Sequence, residues 1–395
     1  MDNIIPYGKH YIDQDDIDSV VDILRNHNLT QGNAVDAFEK AIAEFVGAKY
    51  AVAMSSWTAG LHMACLAADV TKNHNVITSP LTFVASANAA IYCNAKPIFA
   101  DIDAETLNIS PANIENILKI KNNNVKAIIP VHFAGLPCDM ESISKLATKN
   151  KSMIIEDAAH ALGARYEDGS MVGCCKYSDM TGFSFHPVKS IAAGEGGMIT
   201  TNSYKIYKRL LKIRSHGINK LDDKFLDTRQ AFTGDLSNPW YYEMQELGYN
   251  FRITDIQCAL GESQLKKLPS FLKKRRELAK KYDEAFKDLP HVMPIHSNQR
   301  EFSSHHLYVL RIKFNKVGIS RAKLMHKLRE EGIITQVHYI PVTSHPFYKN
   351  LGYKTEEYPE SKSFYDEAIS IPLFFSLTDK EQNKVIDKLK NLLSQ

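Results

Sequence analysis

"VKAIIPVHFAGLPCDMESISKLATKNKSMIIED", residues 125–157, holds two apolar runs around a polar, helix-patterned one. Residues 125–133 read as a buried strand. A helix starts at Met140, and the chain returns as a second strand at 152–157. Strand, crossover helix and strand in one short segment make a parallel pair with a right-handed connection. The same alternation extends outward. "YAVAM" (50–54) precedes a helix from about 57, and "VIT" (76–78) precedes another. "PIFADI" (97–102) reads as a further strand. Ser110 and Pro111 read as the cap and first position of a helix. "GFSF" (182–185) and "MITT" (198–201) complete the set. The fold class predicted is α/β, a large domain whose mostly parallel mixed sheet lies between helices.

Past this region the pattern changes. Residues 217–246 are polar and aromatic without a clear period, and loops of that length tend to be functional or disordered. Long helices are expected from about 253 to 287. A strand near 307–313, a helix from Ser320 and a strand "ITQVHY" (334–339) follow. A last helix is capped by "TDKE" (378–381). The expected division is a large domain over 13–250 and a smaller α+β domain over 251–395, with residues 1–12 packing beside the latter.

Composition narrows the function classes. The 395 residues are 44% hydrophobic, enough for a sizeable core, and 24% are charged. A formal net charge of +3 is too balanced for nucleic acid or a membrane surface, so neither is an expected partner. Residues 51–68 and 75–95 lack charge for nearly a membrane-spanning length, but their turn signals mark buried elements. Six scattered cysteines form no C-x-x-C pair, so no metal site and no disulfide framework is expected. The opening "MDNIIPYGKHYIDQDD" lacks the apolar run of a secretory signal. A reducing cytoplasm is the expected location.

Three segments carry chemistry. In "SSWTAGLH" (55–62) a strand gives way to a helix start, whose free N–H groups suit a phosphate. Plain capping by Ser55 or Ser56 is the bland alternative. In "MIIEDAAHALGA" (153–164) a strand delivers Asp157 to the crevice where α/β proteins bind ligands, and Ala158 and Ala159 leave room for something flat. The alternative there is an aspartate capping the next turn. In "FSFHPVKSIAAGEGGM" (183–198) Lys189 sits on a stiff turn between a buried strand and three glycines. Desolvation there lowers a lysine pKa and frees the amine for an imine, whereas most lysines are simply solvated. Phosphate cradle, carboxylate and amine are the three groups that pyridoxal phosphate needs.

These segments resemble the DegT-type pyridoxal-phosphate sugar aminotransferases, which have the type I, aspartate-aminotransferase fold. The resemblance covers essentially the whole chain. It runs from "LTQG" (29–32) through "EDAAHALGA", "FSFHPVK", "GEGGMITTN" (194–202) and "RSHGI" (214–218) to "GYNFRITDIQCALG" (248–261) and "VHYIPV" (337–342). Within the family, "PVHFAGLPCDM" (130–140), "YYEMQELGYNFR" (241–252) and "HYIPVTSHPFY" (338–348) are most similar to members that serve pseudaminic acid biosynthesis.

The resemblance implies a role for each matching residue. Lys189 matches the Schiff-base lysine and later proton carrier, and Asp157 the aspartate on the pyridine nitrogen. His160 and Phe83 fall where the family flanks the cofactor ring. Ser184 and the backbone of Trp57 and Thr58 match the phosphate contacts. Asn250 matches an asparagine that reaches the neighbouring subunit's cofactor, which implies a homodimer with shared sites. Tyr7, Leu29, Thr30, His338 and Tyr339 fall in segments lining the sugar-nucleotide site. The implied cofactor is pyridoxal 5'-phosphate, with pyridoxamine phosphate as its aminated form. The implied partners are L-glutamate and a UDP-linked 4-keto-6-deoxysugar.

Position 57 departs from the family, which commonly has a small residue there. Its indole reads either as narrowing the entrance or as a packed or interface aromatic. His216 reads as a site contact or a buried structural histidine, and Arg252 as an anion contact or a helix-start ion pair. His305 and His306 would point to opposite faces of a strand, which argues against joint metal ligation. Other readings remain: a transaminase for a different nucleotide ketosugar or a cyclitol, or a non-catalytic relative. A pyridoxamine-dependent dehydratase carries His in place of this lysine, so Lys189 counts against it.

Overall fold

The computed structural model describes residues 4–220, 224–295 and 300–393. Seven strands form one sheet: β1 (Tyr50–Met54), β2 (Asn75–Thr78), β3 (Lys96–Phe99), β4 (Val125–Ile129), β5 (Met153–Asp157), β6 (Met180–Ser184) and β7 (Gly197–Thr201). Their order is β1-β7-β6-β5-β4-β2-β3. All pairs are parallel except the two that β7 makes, with β6 and with β1. β1 therefore runs parallel to β6, and the ends of β1, β2, β5 and β6 share one edge.

The apolar runs are continuous because both faces of the sheet are buried. Ala51, Ala53, Ile128, Ile154 and Phe183 face one core cluster. Val52, Met54, Ile129, Ile155 and Met180 face another. Helices cover each side, among them Asn33–Val46 and Met140–Asn150 on the first and Trp57–Ala67 and Tyr204–Arg214 on the second. Ser110 caps Pro111–Leu118 with its side chain, as its sequence suggests.

A second, three-stranded antiparallel sheet is made of Val292–Pro294, Tyr308–Ile312 and Ala368–Ile371. Its core includes Tyr282, Leu324 and Leu389 from three helices, and Ile5 from the start of the chain. Of the first dozen residues, 1–3 lie outside the described residues. Ile5 is tied to the loop after Arg321–Glu330 by two backbone bonds, to Gly332 and Ile334.

Several elements differ from the sequence reading. The strand expected over 125–133 stops at Ile129, because Pro130 brings no N–H to the ladder. "PIFADI" is a strand only over Lys96–Phe99. One helix, Asp255–Phe286, replaces the expected run of helices, and it passes through Pro269 without ending. "ITQVHY" is not a strand. It makes one bridge to Ser370 through Gln336 and then turns its side chains into a cavity. The stretch 217–246, apart from 221–223, which lie outside the described residues, contains only a four-residue helix and two-residue strands.

Candidate active site

The cavity lies where the strand ends meet the segment 336–345, and its volume is about 660 Å³. The end of β1 leads through Ser55 and Ser56 into helix Trp57–Ala67. Ser56 caps that helix by accepting from the Ala59 N–H at 3.2 Å. The N–H groups of Trp57 and Thr58 come before the first intrahelical bond, Gly60 N–H to Ser56 O, so the helix leaves them open to an outside acceptor. Both residues and Ser184, from the end of β6, line the cavity. β7 approaches this helix start so closely that a Cβ on Gly197 would lie 2.7 Å from the Trp57 nitrogen.

Asp157 ends β5 and turns into the cavity. Its Oδ2 accepts from Ser86 Oγ at 2.6 Å. Its Oδ1 accepts from the Trp57 indole Nε1 at 2.8 Å and from the Ala159 N–H at 3.2 Å. The preceding residue, Glu156, points the opposite way, as strand alternation requires. It accepts from Thr181 Oγ1 at 2.7 Å and Tyr166 Oη at 2.6 Å, and its Oε2 lies 2.8 Å from His132 Nε2. Burial raises the Glu156 pKa, and these bonds, led by His132, overcome it and leave the carboxyl below its ordinary range.

Lys189 is held on a turn closed by its own N–H to His186 O at 2.8 Å. The chain returns through Gly194 at φ +78°, a left-handed conformation that favours glycine. Half-buried and facing the cavity, the Lys189 amine has its pKa pulled down by burial to about 8, against the opposing pull of Asp157. Its charge and burial keep the nearby imidazoles neutral. His160 lies well below its ordinary value through burial, Lys189 and His338. His338 is pushed down to about 3 by burial and Lys189.

His160 is fixed from two sides. Its Nε2 is 3.0 Å from Tyr339 Oη, and its ring lies against His306 with centroids 4.4 Å apart. His160 Nδ1 and His306 Nδ1 are buried with no partner among the described residues. His338 bonds Ser370 Oγ through Nδ1 at 2.7 Å. Tyr7 packs on His338, and Phe83, exposed at the rim, approaches Tyr339.

The chain thus brings together Tyr7, Trp57, Thr58, Phe83, Asp157, His160, Ser184, Lys189, His338 and Tyr339. Leu29, Thr30 and Asn250 are exposed and do not line this cavity. Neither do His216, which is exposed, or Arg252. His305 and His306 do diverge, but from a loop rather than a strand: His305 reaches Arg300 O at 3.0 Å, while His306 enters the site. The indole of Trp57 does not stand free at the entrance; it is buried at 6% exposure. Ser86 and His306 were missed as site residues. The only signal for Ser86 was its place one helical turn after Phe83.

A lysine amine near neutrality, a carboxylate at a strand end and a free helix start around one cavity define a site for carbonyl–amine chemistry on a phosphorylated group. The sequence pattern of the DegT/DnrJ/EryC1/StrS aminotransferase family matches residues 10–390, and the chain belongs to that family. It is a sugar aminotransferase. It is 38% identical to the spore coat polysaccharide biosynthesis protein SpsC of Bacillus subtilis, over 99% of this chain and 97% of the other. It is 37% identical to the UDP-4-amino-4,6-dideoxy-N-acetyl-beta-L-altrosamine transaminase of Campylobacter jejuni, over 99% and 98%. Its structure is similar to Helicobacter pylori PseC, an aminotransferase involved in the biosynthesis of pseudoaminic acid. The TM-score is 0.87 at 31% identity, with 99% of each chain covered. The PLP-form of a putative sugar aminotransferase, Spr1654 from Streptococcus pneumoniae, gives 0.87 at 29% over 98% of each chain. Among the described residues no helix is long and apolar enough to cross a membrane.

Proposed function

We propose that this enzyme moves the amino group of L-glutamate to C4 of UDP-2-acetamido-2,6-dideoxy-β-L-arabino-hex-4-ulose, in pseudaminic acid biosynthesis. The observation that carries the chemistry is the grouping of Lys189, Asp157 and the helix start at Trp57 and Thr58 around one cavity. The specific sugar rests on likeness to the Campylobacter and Helicobacter proteins.

The cavity residues fit pyridoxal phosphate. A buried ring nitrogen on His160 without a partner and a lysine amine brought down to about 8 call for a ligand between them. In this reading Lys189 Nζ is the nucleophile toward the cofactor aldehyde. Asp157 holds the ring nitrogen, and the N–H groups of Trp57 and Thr58, with Ser184 Oγ, hold the phosphate. Phe83 and His160 flank the ring. When bound, the cofactor supplies an electron sink for the carbanion left as a proton departs the amino-bearing carbon. Lys189 Nζ takes that proton and returns it at the neighbouring position. Tyr7, His338 and Tyr339, which line the same cavity, contact the sugar nucleotide.

The assembly we propose is a homodimer whose sites are shared, with Asn250, Leu29 and Thr30 serving the partner's cavity. In support, Asn250 is exposed, and Leu226, Leu236, Trp240 and Leu247 present apolar side chains to solvent nearby in sequence. We also take 13–250 as the cofactor-binding domain and 251–395 as the smaller one, and the cytoplasm as the location, in keeping with six free cysteines. A second reading, a different nucleotide ketosugar as acceptor, is favoured by the 38% identity to SpsC, whose name places it in spore coat polysaccharide biosynthesis.

The test is incubation of the purified enzyme with glutamate and a panel of UDP- and dTDP-linked ketosugars, followed by mass detection. Amination of the UDP-linked 4-ketosugar supports the first reading, and turnover confined to another acceptor moves the assignment to the second. Lys189→Ala turning over ketosugar at the wild-type rate overturns both.

A further inference from the structure

Trp57 is an odd residue for the first position of a helix that receives a phosphate. Its backbone does the work proposed for that position, and nothing in that work calls for an indole. The ring folds back onto the sheet, into a cradle that two glycines leave open. A Cβ on Gly182 would lie 1.7 Å from its Cη2, and one on Gly60 would lie 2.6 Å from its Cε3. Seated there, the indole aims Nε1 at Asp157 Oδ1, 2.8 Å away.

Asp157 is thereby held from two directions. Ser86 grips Oδ2 at 2.6 Å and Trp57 grips Oδ1 at 2.8 Å. Rotation of the carboxylate about its Cβ–Cγ bond breaks both side-chain bonds at once. Without the indole donor, Oδ1 keeps, among the described residues, only the 3.2 Å contact from the Ala159 N–H. Hydrogen bonds to an ionised acceptor are roughly twice as strong as neutral ones, so the indole restrains the carboxylate plane firmly.

We propose that Trp57 is a positioning residue: its indole N–H orients the Asp157 carboxylate toward the ring nitrogen of the cofactor. The inference rests on the pyridoxal-phosphate reading of the cavity. It assigns the side chain at 57 a function separate from that of its backbone N–H. It also pairs Trp57 with Gly182, since any side chain at 182 evicts the ring.

The cleanest variant replaces Trp57 with 3-benzothienylalanine, which keeps the bicyclic shape and deletes only the N–H. Trp57→Phe is the genetic counterpart. In either, the pyridoxal phosphate dissociation constant is expected to rise about tenfold, the loss of one charge-assisted bond. kcat falls alongside, while KM for the sugar nucleotide is expected to stay within about twofold, because the indole is buried against the sheet at Gly182 and Gly60. In an Asp157→Asn background the same replacement is expected to add little, since no carboxylate remains to be oriented. A folded Trp57 variant with wild-type cofactor affinity overturns the inference, as does a loss that persists undiminished beside Asp157→Asn.

A cofactor-free readout separates this from the parent reading. The chain has two tryptophans, so the Trp57 indole N–H resonance can be assigned by substitution. Asp157→Asn is expected to shift it and speed its exchange with solvent; an unmoved resonance overturns the contact itself. If the wild-type protein takes up no pyridoxal phosphate, the cofactor reading falls and this inference with it. If the wild type takes it up and the variants match it, the inference alone falls.

Discussion

Tyr339 holds its hydroxyl 3.0 Å from His160 Nε2, although the two residues lie 179 positions apart. His306 backs the same imidazole at 4.4 Å between centroids. The ring that faces the cavity is therefore fixed by the C-terminal part of the chain. Tyr339→Phe removes one anchor and leaves the shape intact. Since a single hydrogen bond contributes about 0.5–1.5 kcal/mol, the expected cost is roughly twofold to tenfold in pyridoxal phosphate affinity. Titration of the cofactor-free protein by absorbance measures it. Wild-type affinity in Tyr339→Phe would mean that the contact is idle.

The shifted lysine makes a pH prediction. Burial lowers the Lys189 pKa to about 8 from its ordinary 10.5, so the folded state binds its proton less readily than the unfolded state. Below about pH 8 both states are protonated and the folding penalty is full. Between that point and the unfolded value, stability gained from this group rises with pH, and above it the penalty is gone. Urea unfolding of cofactor-free wild type and Lys189→Met across that window is expected to show the rise in the first, less of it in the second. Parallel curves for the two proteins would remove the buried-amine interpretation.

Glu156 supports the next prediction. Its carboxylate gathers His132, Tyr166, Thr181 and Ser178 on the face of β5 away from the cavity. Glu156→Leu takes the carboxylate from three buried polar groups, His132, Tyr166 and Thr181, and from the half-buried Ser178, and breaking such a buried cluster typically costs about 3–5 kcal/mol. Because the folded pKa is lowered, the carboxylate's contribution is present above its unfolded value and fades as pH falls through the folded one. The urea midpoint at neutral pH is the measurement. A midpoint equal to that of the wild type would show that the cluster does not stabilise the fold.

What could be read in the sequence follows from what is local. β1, β2 and β5 were legible because strands buried on both faces are continuous apolar runs. Asp157 was legible because it ends such a run beside small residues, and Lys189 because it sits on a turn between such a run and three glycines. "ITQVHY" has strand-like alternation too, but only Gln336 finds a bridging partner, at Ser370, so no ladder forms. His306 and Ser86 were invisible for another reason: their roles depend on residues far away in sequence. The same holds for Trp57, whose acceptor lies 100 positions on. Neither reading of its indole, as narrowing the entrance or as a packed or interface aromatic, included the carboxylate.

The proposed dimer makes the last prediction. If Asn250 serves the partner's cavity and Lys189 its own, each whole site needs Lys189 from one subunit and Asn250 from the other. Lys189→Ala and Asn250→Ala homodimers are then both impaired, the first completely. Co-refolding equal amounts makes hybrids in which one site is intact and the other carries both defects. Random pairing yields half hybrids, so activity is expected to recover to about a quarter of the wild-type level. Recovery from two impaired proteins has no explanation in self-contained subunits. A mixture whose activity stays at the average of its two components, although light scattering shows a dimer, would place Asn250 outside the partner's site.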